Sequence, residues 1–276
     1  MRVAVVGHVE WVQFARVERV PDPGEIVSAS EVWEEPAGGG AVAAVQLANL
    51  SGSVDFFTSL GDDELGQRSR ERLTQLGVTV HAADAGRPQR RAFTFIDENG
   101  ERTITVLGPK LRPSGEDSTL PWELLERCDA VYFTGGDVPA VRAARRAKVF
   151  VATSRELDTL HRAHVELDAL VGSGDDVGER FDAIELDPPP RLVVSTSGPL
   201  GGWIRPGGPF RAAPIPGDVE DAYGCGDCFA AGFTYGLGVG MAVEDAAALA
   251  ARCGATVLTG RGPYERQLTA EAARPA

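Results

Sequence analysis

The hydrophobic positions of this chain form short apolar runs that alternate with longer stretches of helical periodicity. Six runs have the length and the β-branched content of buried strands: Arg2–Val6, Val54–Thr58, Ala130–Phe133, Val149–Ala152, Ala169–Val171 and Arg191–Thr196. Helical patterns lie between and after them: Ala41–Ser51, Asp63–Leu76, Val138–Ala147, Glu156–His164, Asp227–Leu237 and Glu244–Thr259. This α/β alternation predicts a mostly parallel sheet with helices on both faces, in which ligands bind beyond the carboxyl ends of the strands.

Two segments depart from this alternation and predict a small antiparallel sheet. Residues 92–106 alternate apolar and polar side chains around Asn99-Gly100, which is a strong β-hairpin signal. Residues 11–33 have the same β character on both sides of a proline-containing bend. We expect a single domain over residues 1–276, with a β-sheet lid formed from about 11–33 and 90–107. A plain extension that covers a sheet edge is the alternative.

The composition narrows the class of protein without identifying it. The chain has 276 residues, of which 43% are hydrophobic, and a formal net charge of −13 at pH 7. It has no basic tract, which argues against nucleic acids and anionic membrane surfaces as main partners. No apolar run reaches the roughly 18 residues of a membrane span, Met1–Gly7 does not look like a signal peptide, and the four cysteines do not suggest a disulfide framework. We therefore expect a cytoplasmic protein that acts on a small molecule.

The segment with the clearest chemistry is the turn Gly224-Cys225-Gly226, which leads directly into a helix of small apolar residues. The first amides of a helix have no intrahelical acceptor, and the helix dipole adds partial positive charge there. Such a turn is a site for an anion, most naturally a phosphate. Asp227 places a carboxylate in this site, where it could accept a proton from a hydroxyl that attacks a phosphoryl group. A purely structural carboxylate at the helix N-terminus is the alternative.

Two signatures resemble the ribokinase-like carbohydrate kinases of the phosphofructokinase-B family, in compatible order over essentially the whole chain. One is Gly38–Ala41 followed by Ser59–Gly66, and the other is Asp221–Gly232, which is similar to the family's Asp-Thr-x-Gly-Ala-Gly-Asp-x-Phe. The resemblance implies a three-layer αβα sandwich with a small β lid, and ATP-dependent phosphorylation of a hydroxyl on a small sugar or sugar-like molecule. It assigns Asp227 as the general base and the amides of the preceding turn as the anion hole.

The resemblance also implies where the nucleotide and the cations bind. ATP is expected along the Gly-rich turn after a strand and against the late helix, at Thr196, Gly198, Gly201, Ala251 and Gly254. Asp176 stands at the position from which the family holds Mg²⁺ through water, and a solvated acidic turn is the alternative. Asp221 belongs to the loop that would hold a monovalent cation such as K⁺. The lid strands commonly pair between two subunits in this family, so a homodimer is compatible with the resemblance.

The substrate side departs most from the family pattern. Ala43 stands where a sugar-binding Asn is usual, and Val12 where an Asp is usual. The resemblance leaves Glu10 and the backbone of Gly39 and Gly40 as substrate-binding candidates, together with Asp227. Because buried polar groups give the sharpest substrate discrimination, these replacements argue against carrying over ribose as the substrate.

Several rival functions stay open at this stage. The altered substrate positions fit a nucleoside or vitamin-precursor kinase of the same fold, or a catalytically weak nucleotide- or sugar-binding regulatory protein. A zinc site built from Cys225, Cys228, His161 and His164 is disfavoured, because it would fill the anion hole. A dinucleotide-dependent oxidoreductase is disfavoured because no Gly-x-Gly-x-x-Gly follows the first strand. The intact Gly-x-Gly-Asp favours the kinase over the regulatory protein.

Overall fold

A computed structural model of the chain describes residues 1–179 and 186–274. Thirteen strands are present in this part of the chain: β1 (Val3–Val6), β2 (Glu10–Arg16), β3 (Glu31–Ala37), β4 (Val54–Leu60), β5 (Val78–Asp84), β6 (Arg91–Ile96), β7 (Arg102–Leu107), β8 (Ala130–Phe133), β9 (Val149–Thr153), β10 (Ala169–Ser173), β11 (Leu192–Thr196), β12 (Gly202–Arg205) and β13 (Gly208–Phe210). The α-helices of the same part are α1 (Gly39–Ser51), α2 (Glu64–Gln75), α3 (Val138–Ala144), α4 (Leu157–Ala163), α5 (Cys225–Gly238), α6 (Val243–Val257) and α7 (Ala270–Ala273).

Nine strands form the central sheet, in the order β13-β12-β11-β10-β9-β8-β1-β4-β5. The strands from β11 to β5 are all parallel, and β12 and β13 add an antiparallel hairpin at one edge. The apolar, β-branched runs suit this position, because strands buried on both faces need no polar alternation. The parallel arrangement brings the carboxyl ends of β1, β8, β9, β10 and β11 to one edge of the sheet. Ligands are expected at this edge.

Helices cover both faces of the central sheet and give the molecule its three layers. One core cluster joins α1, α5 and α6 to one face, with Leu47, Phe233 and Ala250 among its fully buried residues. A second cluster joins α3 and α4 to the other face, around Phe133 and Phe150. The two faces of each strand therefore serve different cores, as the alternation of side chains along a strand requires.

The second sheet has four strands in the order β3-β2-β6-β7. β2 pairs antiparallel with β3 and parallel with β6, and β6 pairs antiparallel with β7 across the predicted Asn99-Gly100 turn. Its inner side chains, including Val12, Phe14 and Ile96, form a third core cluster with Val42 of α1 and with α5 and α6. This cluster fixes the small sheet against the N-terminal ends of α1 and α5.

The six strands and six long helices predicted from periodicity are confirmed, with boundaries that shift by up to three residues. Three strands were missed: β5, β12 and β13. β5 lies at the sheet edge with half-exposed side chains, and β12 and β13 are a short glycine-containing hairpin, so none has a continuous apolar run. The segment before β3 is not a strand, and Ile26 in it is fully exposed. In the described residues, no helix has the length and apolar character needed to cross a membrane.

Candidate active site

The turn before α5 has the geometry of an anion site. Gly224 caps the helix at φ +86°, and a Cβ there would lie 2.9 Å from Val42 Cγ1, so both backbone conformation and space require glycine. The first intrahelical bond runs from the Cys228 amide to the Gly224 carbonyl at 2.9 Å, which leaves the amides of Cys225, Gly226 and Asp227 without an intrahelical acceptor. A Cβ at Gly226 would meet nothing within 4 Å. The space in front of these amides is therefore open to a ligand.

A second helix begins at the same point. Gly38 caps α1 at φ +86°, and a Cβ at Gly39 would lie only 2.9 Å from Asp227 Oδ1. A Cβ at Gly40 would lie 2.7 Å from the His8 carbonyl oxygen, so α1 also starts directly against the end of β1. The N-termini of α1 and α5 thus converge on one carboxylate, and both helix dipoles place partial positive charge beside it. This convergence is the central feature of the site.

The Asp227 carboxyl is partly buried between these elements, and its pKa is raised to about 6. Loss of solvent is the main cause, and the Glu179 carboxylate raises the pKa further. The guanidinium groups of Arg102 and Arg155 act in the opposite direction. A carboxyl with a pKa near 6 is ionised at neutral pH and is a stronger base than an ordinary aspartate, as proton abstraction requires.

Arg102 reaches the site from the small sheet. Its Nη1 donates to the Ala222 carbonyl at 3.0 Å, immediately before the anion turn, and its charge acts on both Asp227 and Cys225. Arg102 lies within the hairpin that the sequence predicts as part of the lid. Because the side chain is tied to the backbone beside the turn, it lies where a phosphoryl group held by the turn would be neutralised.

Glu179 is an acidic site residue that the sequence analysis missed. Its carboxylate raises the pKa of Asp227, accepts a hydrogen bond from the Ser173 amide at 2.7 Å and pairs with Arg155 Nε at 2.7 Å. Asp176 pairs with Arg155 Nη2 at 2.5 Å and accepts the Gly178 amide at 2.8 Å, within its own turn. The only available signal for Glu179 was an acidic residue in the loop that follows β10.

The residues on the substrate side lie in two different environments. Glu10 lies beside the N-terminus of α1, whereas Val12 and Ala43 lie in the core. Glu10 is buried, and its Cγ would lie 3.2 Å from a Cβ at Gly38, so it faces the N-terminus of α1. Its Oε1 lies 3.1 Å from Arg90 Nη1, an ion pair that no local pattern predicts. Val12 and Ala43 are fully buried in apolar clusters. The residues at these two positions pack in the core, as their apolar character requires.

The predicted nucleotide residues lie in two separate segments, the turn after β11 and helix α6. Thr196 ends β11, and Gly198 and Gly201 both have positive φ in the turn that joins β11 to β12. A Cβ at Gly201 would lie 2.1 Å from the Phe210 carbonyl oxygen, so the turn closes tightly only with glycine. On α6, Ala251 is buried, and a Cβ at Gly254 would lie 3.2 Å from the Cys225 carbonyl oxygen.

Asp221 is fully buried below the anion turn. Its two carboxylate oxygens accept the amides of Tyr223 at 2.7 Å and Gly262 at 2.9 Å, and burial raises its pKa. These bonds join the loop before α5 to the late segment around Gly260, the two pieces expected to hold a monovalent cation. A buried carboxylate among loop backbone groups provides oxygen ligands of the type that such an ion accepts.

The cysteine and histidine residues considered for zinc lie apart. Cys228 is buried in the third core cluster with Cys253, while His161 and His164 are ring neighbours on and after α4, with centroids 5.8 Å apart. Within residues 1–179 and 186–274, no group of three or more His, Cys, Asp or Glu side chains could hold a metal. Burial also raises the pKa of the Cys228 thiol, which disfavours the thiolate that zinc needs.

Comparisons with known proteins bear on this geometry. Residues 1–155 and 147–270 match the family model described as pfkB family carbohydrate kinase. An ATP-dependent ribose-1-phosphate kinase from Halopiger xanaduensis is 28% identical over 99% of this chain and 96% of its own. Ribokinase from Thermotoga maritima has a TM-score of 0.76 at 20% identity, covering 99% of this chain and 98% of that one. Ribokinase from Arabidopsis thaliana, complexed with ribose and ATP, has a TM-score of 0.72 at 20% identity, covering 99% and 97%. The ribokinase-like fold expected from the sequence is confirmed.

Proposed function

Because the chain belongs to the pfkB family of carbohydrate kinases, we propose that it transfers the γ-phosphoryl group of ATP to a hydroxyl of a small sugar or sugar-like molecule. The observation that carries this proposal is the meeting of two helix N-termini at Asp227, which combines an anion site with a base. A protein that only bound nucleotide or sugar would not need a carboxylate with a raised pKa inside an anion site.

In the proposed reaction, Asp227 takes the proton of the substrate hydroxyl as its oxygen attacks the γ-phosphorus. The bond between the γ-phosphorus and the β–γ bridging oxygen breaks, and ADP leaves with that oxygen. The amides of the turn at Gly224, Cys225 and Gly226 bind the phosphoryl oxygens, and Arg102 neutralises the charge that they carry. These groups hold their positions before the substrate binds. Little free energy is therefore needed to orient them during the reaction.

The site also fits the cations that the family implies. Mg²⁺ usually takes one or two carboxylates and completes its shell with phosphate oxygens and water, and Glu179 is the carboxylate beside Asp227 that suits this role. When bound, the ion would neutralise charge on the β- and γ-phosphates. We place a monovalent cation such as K⁺ at Asp221 and the loop of Gly260. Asp176 stays a sequence prediction as a water-mediated ligand.

The remaining parts of the proposal concern the nucleotide, the small sheet and the assembly. We propose that ATP lies between the turn of Gly198 and Gly201 and helix α6, and that the small sheet closes over the substrate as a lid on the single domain. Strand β7 is exposed along its whole length, with Ile104 and Val106 among its outward side chains, so pairing of two small sheets would form a homodimer. The proposed location is the cytoplasm, where ATP is available.

An ADP-release screen tests the proposed function. We expect ADP formation above the ATP-only background with at least one member of a panel that contains ribose, ribose 1-phosphate and nucleosides. A nucleoside or vitamin-precursor preference would retain the kinase and change its substrate. If ATP binds, as measured by calorimetry, but no compound of a broad panel releases ADP, the regulatory alternative replaces the kinase.

The pH profile should report the titration of Asp227. The base must be ionised, so kcat/KM should fall about tenfold for each pH unit below about 6 and level off above it. Arg102→Gln should move this limb to higher pH, because the guanidinium lowers the pKa of Asp227. Such a shift would assign the acid limb to Asp227, because the substitution does not change the pKa of the free substrate or of free ATP. A flat profile between pH 5 and 8 would contradict the assignment.

A further inference from the structure

A group of cations lies at the carboxyl edge of the sheet, beside the site already described. Arg90 precedes β6, and Lys110 and Arg112 follow β7. Their side chains converge on the buried His8, which follows β1: a Cβ at the intervening Gly135 would lie 3.6 Å from His8 Nδ1 and 3.7 Å from Lys110 Cδ. The two segments that flank the β6–β7 hairpin therefore bring positive charge beside His8.

Among the residues that the structure describes, the carboxylates paired with these cations do not balance their charge. Lys110 Nζ lies 2.9 Å from Glu156 Oε1, Arg112 Nη1 contacts the other oxygen of Glu156, and Arg90 pairs with Glu10. Three cations thus share two carboxylates. The surplus acts on neighbouring groups: burial and the charges of Lys110, Arg90 and Arg112 hold the pKa of His8 well below its usual range, so the imidazole is neutral and adds no charge.

Arg90 also has hydrogen-bonding capacity that the protein does not use. Its side chain is 10% exposed, and its Nε and Nη1 are buried without a hydrogen-bond partner among the described residues. The 3.1 Å contact with Glu10 is an ion pair without hydrogen-bond geometry. A buried guanidinium with unpaired N–H groups costs free energy unless a ligand completes its bonding. An anion with several acceptor oxygens would do so.

The cation group is continuous with the catalytic base. A Cβ at Gly39 would contact both Asp227 Oδ1 at 2.9 Å and Thr134 Oγ1 at 3.5 Å. Thr134 Oγ1 lies 3.4 Å from His8 Nδ1, and His8 Nε2 lies 3.6 Å from Glu10 Oε1. A single substrate lying over Gly39, Thr134 and His8 would have one end at Asp227 and the other end at the cations.

We propose that Arg90 and Lys110, with Arg112 at the outer side, form a subsite for a phosphate group that the acceptor substrate already carries. This inference rests on the proposed function and deepens it: the acceptor is a sugar phosphate, whose free hydroxyl meets Asp227 and whose phosphate meets the cations. The buried core packing of Val12 and Ala43 agrees with a site that recognises its substrate by charge more than by hydroxyl hydrogen bonds.

Paired substrates and a matched pair of lysine variants test the subsite. Lys110 and Lys148 are the only lysines; Lys148 is 74% exposed, pairs with Asp129 and lies at the amino end of the strands, away from the site. For wild type, we expect kcat/KM for ribose 1-phosphate to exceed that for ribose by at least about a hundredfold. Lys110→Gln should lower the value for the phosphorylated sugar about ten- to hundredfold and the value for free ribose less than threefold. Lys148→Gln should change neither, and Arg90→Lys should retain more activity than Arg90→Gln.

Inorganic phosphate gives a readout that does not depend on turnover. Phosphate should bind to the wild type and to Lys148→Gln, and much more weakly to Lys110→Gln, in calorimetry with thermal melts to verify folding. This pattern supports the subsite even if no compound releases ADP, in which case only the proposed function fails. The subsite is overturned if free ribose or a nucleoside is the better substrate, if Lys110→Gln affects neutral and phosphorylated acceptors equally, or if both lysine variants bind phosphate like the wild type.

Discussion

Asp227→Asn is expected to lower kcat by about 10²–10⁴-fold while leaving ATP affinity within about twofold. The amide has nearly the shape of the carboxylate but cannot accept the hydroxyl proton, and the anion turn before α5 is unchanged. Single-turnover phosphoryl transfer and equilibrium nucleotide binding measure the two quantities separately. Because the loss concerns the chemical step, KM for the acceptor should change much less than kcat.

The same substitution should stabilise the folded protein above pH 6. The pKa of Asp227 is raised from 3.8 to about 6, so its contribution to stability is fully present below pH 3.8 and is lost as pH rises through 6. Asn carries no charge at any pH, so the variant avoids that loss. The unfolding free energy of the variant relative to wild type should therefore grow from pH 4 to pH 7, by an amount on the order of 1–3 kcal/mol. The difference in Tm should grow over the same range.

Asp218→Asn provides the matched control, since Asp218 lies in the same approach to α5 but is exposed. It should leave turnover unchanged. Wild-type turnover by Asp227→Asn would refute the base assignment. Lost activity with an unchanged or lower Tm at pH 8 would instead indicate that the carboxylate stabilises the fold, which is the structural alternative considered from the sequence.

The reaction could be predicted from the sequence because its parts are local. The turn, the glycine cap and Asp227 lie within four consecutive residues, so helix geometry alone places the carboxylate beside free amides. Most of the parallel sheet was predictable for the same reason, since every parallel strand except the edge strand β5 is a continuous apolar run. Gly39 is the exception that completes the site: it contacts Asp227 from 188 residues away, and only the family signature connected the two.

The proposed phosphate subsite could not be predicted from the sequence, because it depends on long-range neighbours. Arg90 and Lys110 flank the predicted hairpin, where isolated basic residues are normally solvated, and nothing local indicates that both turn toward His8. The sequence did show that Val12 and Ala43 lack the expected polar groups. No local pattern indicates that Arg90 and Lys110, which lie in other segments, recognise the substrate as proposed.

The acidic loop after β10 shows the same limit at shorter range. Position counting from Ser173 selects Asp176, whose metal role stays a prediction. In the structure Asp176 and Glu179 both pair with Arg155, and Glu179 also accepts the Ser173 amide and acts on Asp227. The two candidate metal ligands, Asp176 and Glu179, are only three positions apart in this loop, so the loop conformation decides which of them faces the site. A fixed spacing transfers between proteins only where the intervening backbone has the same conformation, which loops rarely guarantee.

Glu179→Gln is therefore expected to raise the Mg²⁺ concentration needed for half-maximal activity by about ten- to hundredfold, whereas Asp176→Asn should change it less than threefold. Glu179→Gln should also move the acid limb of the pH profile to lower pH, because the Glu179 carboxylate raises the pKa of Asp227. Mg²⁺ titrations of initial rate, repeated across pH, measure both effects. A larger Mg²⁺ requirement in Asp176→Asn than in Glu179→Gln would return the metal role to Asp176, since neither variant alters the anion turn that holds the phosphates.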